Sequence, residues 1–202
     1  MEPARSGHTI GHVRTHVALL RGINVLGRNK VAMADLRDVA AALGHRAVTT
    51  YIQSGNVVFA ASATSADDAA IADAFETAVA ERFGVRPAVV VLSRRQLQQV
   101  LSANPFPQVA DPRTLHAVFL RATPRAEEIN AVAAAVERAR AKGSRDEARV
   151  IGRALYLWTP DGFAASVLRR ELDRGGTLRT PVRTGTARNW ATVQKLVSLL
   201  DQ

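Results

Sequence analysis

Apolar positions along the chain fall into short runs that alternate with helical stripes. Residues 16–21 (HVALLR) form a short apolar run and predict a first strand. The Gly-bracketed GINVLGRNKV follows as a loop. Met33, Leu36, Val39, Ala40 and Leu43 recur at helical spacing, with Gly44 as the stop. The runs 48–52 and 57–60 flank Ser54-Gly55-Asn56, a turn signal, and predict a hairpin. Ile71, Phe75, Val79 and Phe83 place a helix over residues 67–83, ended by Gly84, and residues 88–92 after Pro87 give a fourth strand.

The order β-α-β-β-α-β is the split β-α-β arrangement of ferredoxin-like domains. It then recurs. A connecting helix over 94–101 and a Pro-rich link (Pro105, Pro107, Pro112) lead to a strand over 115–120. A helix over 125–141 turns Ile129, Val132, Val136 and Ala139 inward. Residues 148–151 and 154–158 form a second hairpin about Gly152, and 163–172 a further helix. The only apolar candidate for an eighth strand is 178–182, where Pro181 argues for an edge position. Trp190, Val193, Leu196, Val197 and Leu200 mark a final amphipathic helix, with Thr186 or Asn189 as its cap. The predicted fold class is therefore α+β: duplicated ferredoxin-like (split β-α-β) repeats with mainly antiparallel sheets, plus a C-terminal helix. The divisions are a flexible leader (1–15), a first repeat (16–93), a connecting helix and link (94–113) and a second repeat with the C-terminal helix (114–202), packed on the first.

The 202 residues are 47% hydrophobic and 22% charged, as in a globular protein rather than a disordered one. No cysteine is present, which excludes disulfides, thiolate catalysis and thiol-held metals and fits a reducing cytoplasm. No apolar run is long enough for a membrane span, and the first residues lack the apolar core of a secretory signal. The net charge of +9 is uneven: +4 on residues 1–33, +1 on 34–161 and +4 on 162–202. Of the 27 basic residues 24 are arginine, the side chain suited to bidentate phosphate or carboxylate contacts. His8, His12 and His16 share one face of a notional helix, but Gly7 and Gly11 weaken it and no carboxylate completes a ligand set, so no metal site and no cofactor are expected.

The topology places the end of the first strand beside the turn of the first hairpin. The Gly22–Lys30 loop then lies against residues 53–56, both rich in Gly and Asn, which expose backbone N–H groups. Arg21, Arg28 and Lys30 add positive charge, and the helix starting near Met33 points its N-terminus at the same edge. These parts make a candidate anion pocket. The alternative is purely structural: the glycines form tight turns and Asn24 and Asn56 satisfy backbone groups. No P-loop, dinucleotide fingerprint, Ser-His-Asp order or paired-carboxylate motif is present.

Val17-Ala-Leu-Leu-Arg-Gly-Ile-Asn24, Asn29-Lys30, Met33-x-Asp35-Leu36, Tyr51-Ile-Gln-Ser-Gly-Asn-Val-Val-Phe59 and Thr186-x-Arg188-Asn189-Trp190-x-Thr192-Val193 occur in this order. Together they resemble the bacterial family catalogued as domain of unknown function 1697, over nearly the whole chain from His16. The resemblance implies an α+β architecture with an internal duplication in a bacterial cytoplasmic protein. It implies no activity and no catalytic residue. Its signature positions are Arg21, Gly22, Asn24, Lys30, Ser54, Gly55, Asn56, Arg188, Asn189 and Trp190. Where the family typically has Gly-Gly, this chain has Leu26-Gly27.

Three functions are in contention. The first is a module binding a phosphorylated or other anionic small molecule or nucleotide through Arg21, Gly22, Asn24, Lys30, Ser54, Gly55 and Asn56, with Arg188 closing from the second repeat and Tyr51, Asn189 and Trp190 as structural support. The second, ranked lower, is an enzyme on an anionic substrate with Tyr51, Ser54 or Asp35 in acid–base roles. The third is an interaction protein in which Arg21 and Arg188 are buried ion-pair partners between the repeats. Nucleic acid is a weaker partner because aromatic residues are only 5% and offer little for bases to stack on.

Overall fold

A computed structural model of the chain describes residues 13–63, 67–174 and 185–202. The first half contains β1 (His16–Leu20), α1 (Met33–Ala42), β2 (Arg46–Tyr51), β3 (Asn56–Ala60), α2 (Asp68–Phe83) and β4 (Val89–Ser93). α3 (Arg94–Ser102) connects it to β5 (Leu115–Phe119), α4 (Ala126–Arg140), β6 (Glu147–Ile151), β7 (Ala154–Trp158), α5 (Val167–Arg174), β8 (Thr186–Asn189) and α6 (Trp190–Leu200). Two four-stranded sheets form in the orders β2-β3-β1-β4 and β6-β7-β5-β8, with every neighbouring pair antiparallel. This is the duplicated ferredoxin-like α+β arrangement that the periodicity predicts.

The registers equate positions in the two halves. Leu19 faces Asn56 as Phe119 faces Ala154, and Val17 faces Leu92 as Ala117 faces Arg188. Asn56 thus corresponds to Ala154 and Leu92 to Arg188. Arg21, the residue after β1 and Leu20, corresponds to Arg121 after β5 and Leu120.

Apolar side chains separate into three clusters because each strand alternates its faces. On the outer face of the first sheet, Leu20, Phe59 and Val91 pack under Leu36 of α1 and Phe75 of α2. On the outer face of the second, Leu155 and Leu157 pack under Val136 of α4 and Leu168 of α5. The inner faces share the middle cluster: Leu19 and Leu92 from one sheet, Phe119 and Tyr156 from the other, with Leu97 of α3 and Trp190, Val193 and Leu196 of α6. Fully burying each such side chain contributes about 1.5–3 kcal/mol. Helix starts are fixed by side-chain caps: Asp67 accepts from Ala70 N at 2.7 Å, Ser93 and Gln96 form a capping box, and Asn189 accepts from Thr192 N at 2.9 Å.

Three elements differ from the sequence expectation. The eighth strand is Thr186–Asn189, an edge strand against β5; the apolar candidate 178–182 lies outside the described residues. Its four residues carry no apolar run, and they form a strand through main-chain pairing with β5. Ile129 is 41% exposed rather than inward. Glu128 takes the buried place because its carboxylate accepts from Arg125 N at 2.8 Å at the helix start. α5 starts at Val167, where Ser166 Oγ accepts from Arg169 N at 2.9 Å, so Phe163 belongs to the preceding turn. Arg14 and Thr15, at the end of the predicted leader, are tied in: Arg14 donates to Ala47 O and Leu199 O, and Thr15 N donates to Phe59 O. His8 and His12 lie outside the described residues. No helix among those described is long and apolar enough to cross a membrane.

Candidate functional site

The loop after β1 is built by its asparagines. Asn24 Nδ2 donates to Val31 O at 2.8 Å and to Gln53 O at 3.0 Å, while Val31 N donates to Asn24 Oδ1. The side chain so closes the loop on itself and ties it to the first hairpin. Asn29 Nδ2 donates to Gly22 O at 2.9 Å. The tip is a tight hairpin in which Arg28 N donates to Val25 O and both central residues, Leu26 and Gly27, have positive φ. Leu26 is 95% exposed.

The hairpin turn between β2 and β3 lies beside this loop. Asn56 is fully buried, and its Nδ2 donates to Tyr51 O and Ser54 Oγ, both at 2.9 Å. Gly55, at φ +76°, packs so closely on Ile23 and Leu20 that a Cβ would come within 2.8 Å of Ile23 Cδ1.

Arg188 enters from β8. Nε donates to Asn56 Oδ1, NH1 to Thr186 Oγ1 and Ala187 O, and NH2 to Leu20 O and Ser54 O at 2.9 Å each, with Gly55 O at 3.3 Å. All five N–H groups of the guanidinium are thus engaged. Every acceptor is neutral, and among the described residues no carboxylate pairs with Arg188. Burial pushes its pKa down to about 10, so it stays charged at neutral pH. The expectation that Arg21 and Arg188 are each buried in an ion pair is corrected on both counts: Arg188 is buried with no counterion among the described residues, and Arg21 is exposed, donating NH1 to Gly185 O at 3.1 Å.

A cleft of about 420 Å³ opens where these segments meet the second repeat. Leu20, Arg21, Gly22, Ile23, Val25 and Ser54 line it from the first repeat. Leu155, Leu157, Phe163, Leu172 and the segment 185–188 line it from the second. Arg169 and Asp173 of α5 stand at its side and pair at 3.7 Å. The Arg169 guanidinium lies 5.7 Å from the centroid of the Phe163 ring, and its Nε is buried with no hydrogen-bond partner among the described residues. Phe163 in turn stacks on His116 at 4.2 Å. Burial holds His116 neutral, its pKa lowered to about 4.

Of the residues singled out by sequence, the structure brings Arg21, Gly22, Ser54 and Arg188 onto the cleft wall. Asn24, Gly55 and Asn56 shape the wall from behind. Lys30 is exposed on the loop and is not on the lining, nor is the N-terminus of α1. Tyr51 is half-buried against the middle cluster, Asn189 caps α6, and Trp190 is core, 6.0 Å from Tyr156. Asp35 pairs with Arg82 at 2.9 Å, away from the cleft. No group of three or more metal-ligating side chains occurs among the described residues. The apolar wall escaped the sequence reading. Its residues read as ordinary core positions of the second repeat.

The family model described as "Protein of unknown function (DUF1697)" matches residues 13–156. None of the curated proteins searched matches the chain. Among solved structures, a conserved bacterial protein, SP0830 from Streptococcus pneumoniae, is similar in fold: 24% identity, a TM-score of 0.68, and 93% of this chain and 98% of that one covered.

Proposed function

The chain belongs to this family of proteins of unknown function, and on that premise we propose that it binds an anionic small molecule in the cleft between its two repeats. The observation that carries the reading is the asymmetry between the halves. Arg121, the counterpart of Arg21, is neutralised by Glu76 at 2.9 Å and by Asp73. Leu92 and Ala154 are the apolar counterparts of Arg188 and Asn56. The duplication therefore contains its own control: one copy of the position is paired or apolar, and the other carries two arginines with no carboxylate partner among the described residues.

Arg188 supplies a fixed positive potential in a low-dielectric wall, where a charge acts more strongly than in water. Arg21 supplies donors at the mouth, with only one of its N–H groups held by Gly185 O. Ser54 offers a hydroxyl beside them. This arrangement favours binding over catalysis, since no side chain on the cleft is a general base free of a structural partner. The bound species is phosphorylated or carboxylated, matching the planar donors of arginine.

Calorimetric titration with inorganic phosphate, phenyl phosphate and benzoate at fixed low salt tests the proposal. An Arg21→Gln variant with an unchanged melting temperature should bind about tenfold or more weakly, because a charge-assisted hydrogen bond contributes roughly 1.5–3 kcal/mol. Equal affinity in the folded variant, or no heat from any of the three anions, overturns it.

The six contacts of Arg188 favour a second role for that residue alone: it clamps β8 to the β2–β3 turn and holds the cleft open.

A further inference from the structure

Resting on the anion reading above, we propose that the cleft takes an amphipathic anion: a phosphate or carboxylate head joined to an apolar, ring-sized organic body, rather than inorganic phosphate or a sugar phosphate. The two sides of the cleft differ in chemistry. The first-repeat side and β8 present Arg21, Ser54 and Arg188. The opposite wall is apolar, formed by Leu155, Leu157, Phe163 and Leu172. A hydroxylated sugar placed against that wall would lose water contacts and gain no partners. An apolar body would exchange water for apolar surface there.

Phe163 stacks on the His116 ring, 4.2 Å away, and the Arg169 guanidinium lies 5.7 Å from its centroid. His116 is neutral above about pH 4, so it puts no charge behind the ring. Arg169 also stands at this end of the cleft, adding a cationic side chain beside the ring. The volume of about 420 Å³ falls in the range of pockets that enclose small organic molecules, roughly 300–1,000 Å³. It is far larger than a bare phosphate needs.

The test is a matched series measured by calorimetry on the full chain: inorganic phosphate, ribose 5-phosphate, phenyl phosphate, 1-naphthyl phosphate and neutral 1-naphthol. The expected order is 1-naphthyl phosphate tightest, phenyl phosphate next, and inorganic phosphate and ribose 5-phosphate at least tenfold weaker than 1-naphthyl phosphate. Phe163→Ala should erase most of that tenfold gap. Equal affinity across all four phosphates overturns the amphipathic class and leaves the anion site standing. Naphthol binding as tightly as naphthyl phosphate overturns the anion reading itself. The wild-type series decides the point without relying on how well the variant folds.

Discussion

Arg188 Nε donates to Asn56 Oδ1 across 132 residues of chain, joining the edge strand of the second sheet to the first hairpin of the first. Their counterparts, Leu92 and Ala154, are both apolar. The polar pair is therefore present in one copy only.

Replacing that pair together should cost less than the separate replacements suggest. Asn56→Ala leaves Arg188 Nε without its acceptor in a buried site, and Arg188→Leu removes the donor to Ser54 O and Asn56 Oδ1 and leaves Leu20 O only the long bond from Thr186 Oγ1 at 3.5 Å. Each single variant should lose about 2–4 kcal/mol. The double variant Asn56→Ala/Arg188→Leu should be less destabilised than the sum by about 1–2 kcal/mol, measured by urea unfolding in a double-mutant cycle.

Arg21 and Arg121 should respond in opposite ways to the same substitution. Arg121→Gln breaks the link to Asp73 and Glu76 between α2 and the second repeat. With Arg121 one-third exposed, this should cost about 1 kcal/mol, or roughly 2–4 °C in Tm, and leave anion affinity intact. Arg21→Gln should leave Tm within about 1 °C while weakening anion binding. Paired melting curves and titrations separate the two.

Gly55→Ala should be far more damaging than Gly22→Ala. Both glycines have positive φ, but only at Gly55 would a Cβ meet Ile23 and Leu20 inside 3 Å. We expect about 1 kcal/mol of loss at Gly22 and about 3 kcal/mol or more at Gly55, read by thermal or urea unfolding.

Stability should fall on acidification between pH 6.5 and 4. His116 has its pKa lowered to about 4, chiefly by burial, and burial also lowers those of His16 and His45. In this window the unfolded chain binds protons that the native chain does not, so stability rises with pH and is fully present above about 6.5. Discounted for partial exposure, the loss at pH 4 is on the order of 1–2 kcal/mol from His116. His116→Leu should flatten the dependence of Tm on pH across the window; an unchanged slope would show that His116 does not carry it.

Leu26→Asn should stabilise the chain. Leu26 sits at φ +48° with its side chain exposed, and Asn-Gly is the preferred dipeptide of this turn type. A gain of about 0.5–1 kcal/mol, roughly 1–4 °C in Tm, is expected.

The first repeat was legible because its local signals agree. Val57 to Ala60 is an apolar run, Asp67 caps α2 and Gly84 ends it in the left-handed region, as the residue types require. β8 was not legible, since Thr186-Ala-Arg-Asn has neither an apolar run nor strict alternation. Its burial depends on carbonyls of Leu20, Ser54 and Gly55, more than 130 residues away. The cleft was half legible for a similar reason. Arg21 and Ser54 stand in conspicuous turns, whereas Leu157 and Phe163 become a wall only when the second sheet packs beneath the first-repeat loop.

The middle cluster draws its side chains from both sheets and from α3 and α6. A fragment ending after β4 would therefore expose Leu19, Val90 and Leu92 on a bare sheet face. Such a fragment has an aggregation-prone surface in place of an interface. The two halves, alike in topology, should therefore unfold together as one cooperative unit. Expressed separately they should fail to persist as monomers, and expressed together on two chains they should reassemble into a heterodimer with the same cleft between them.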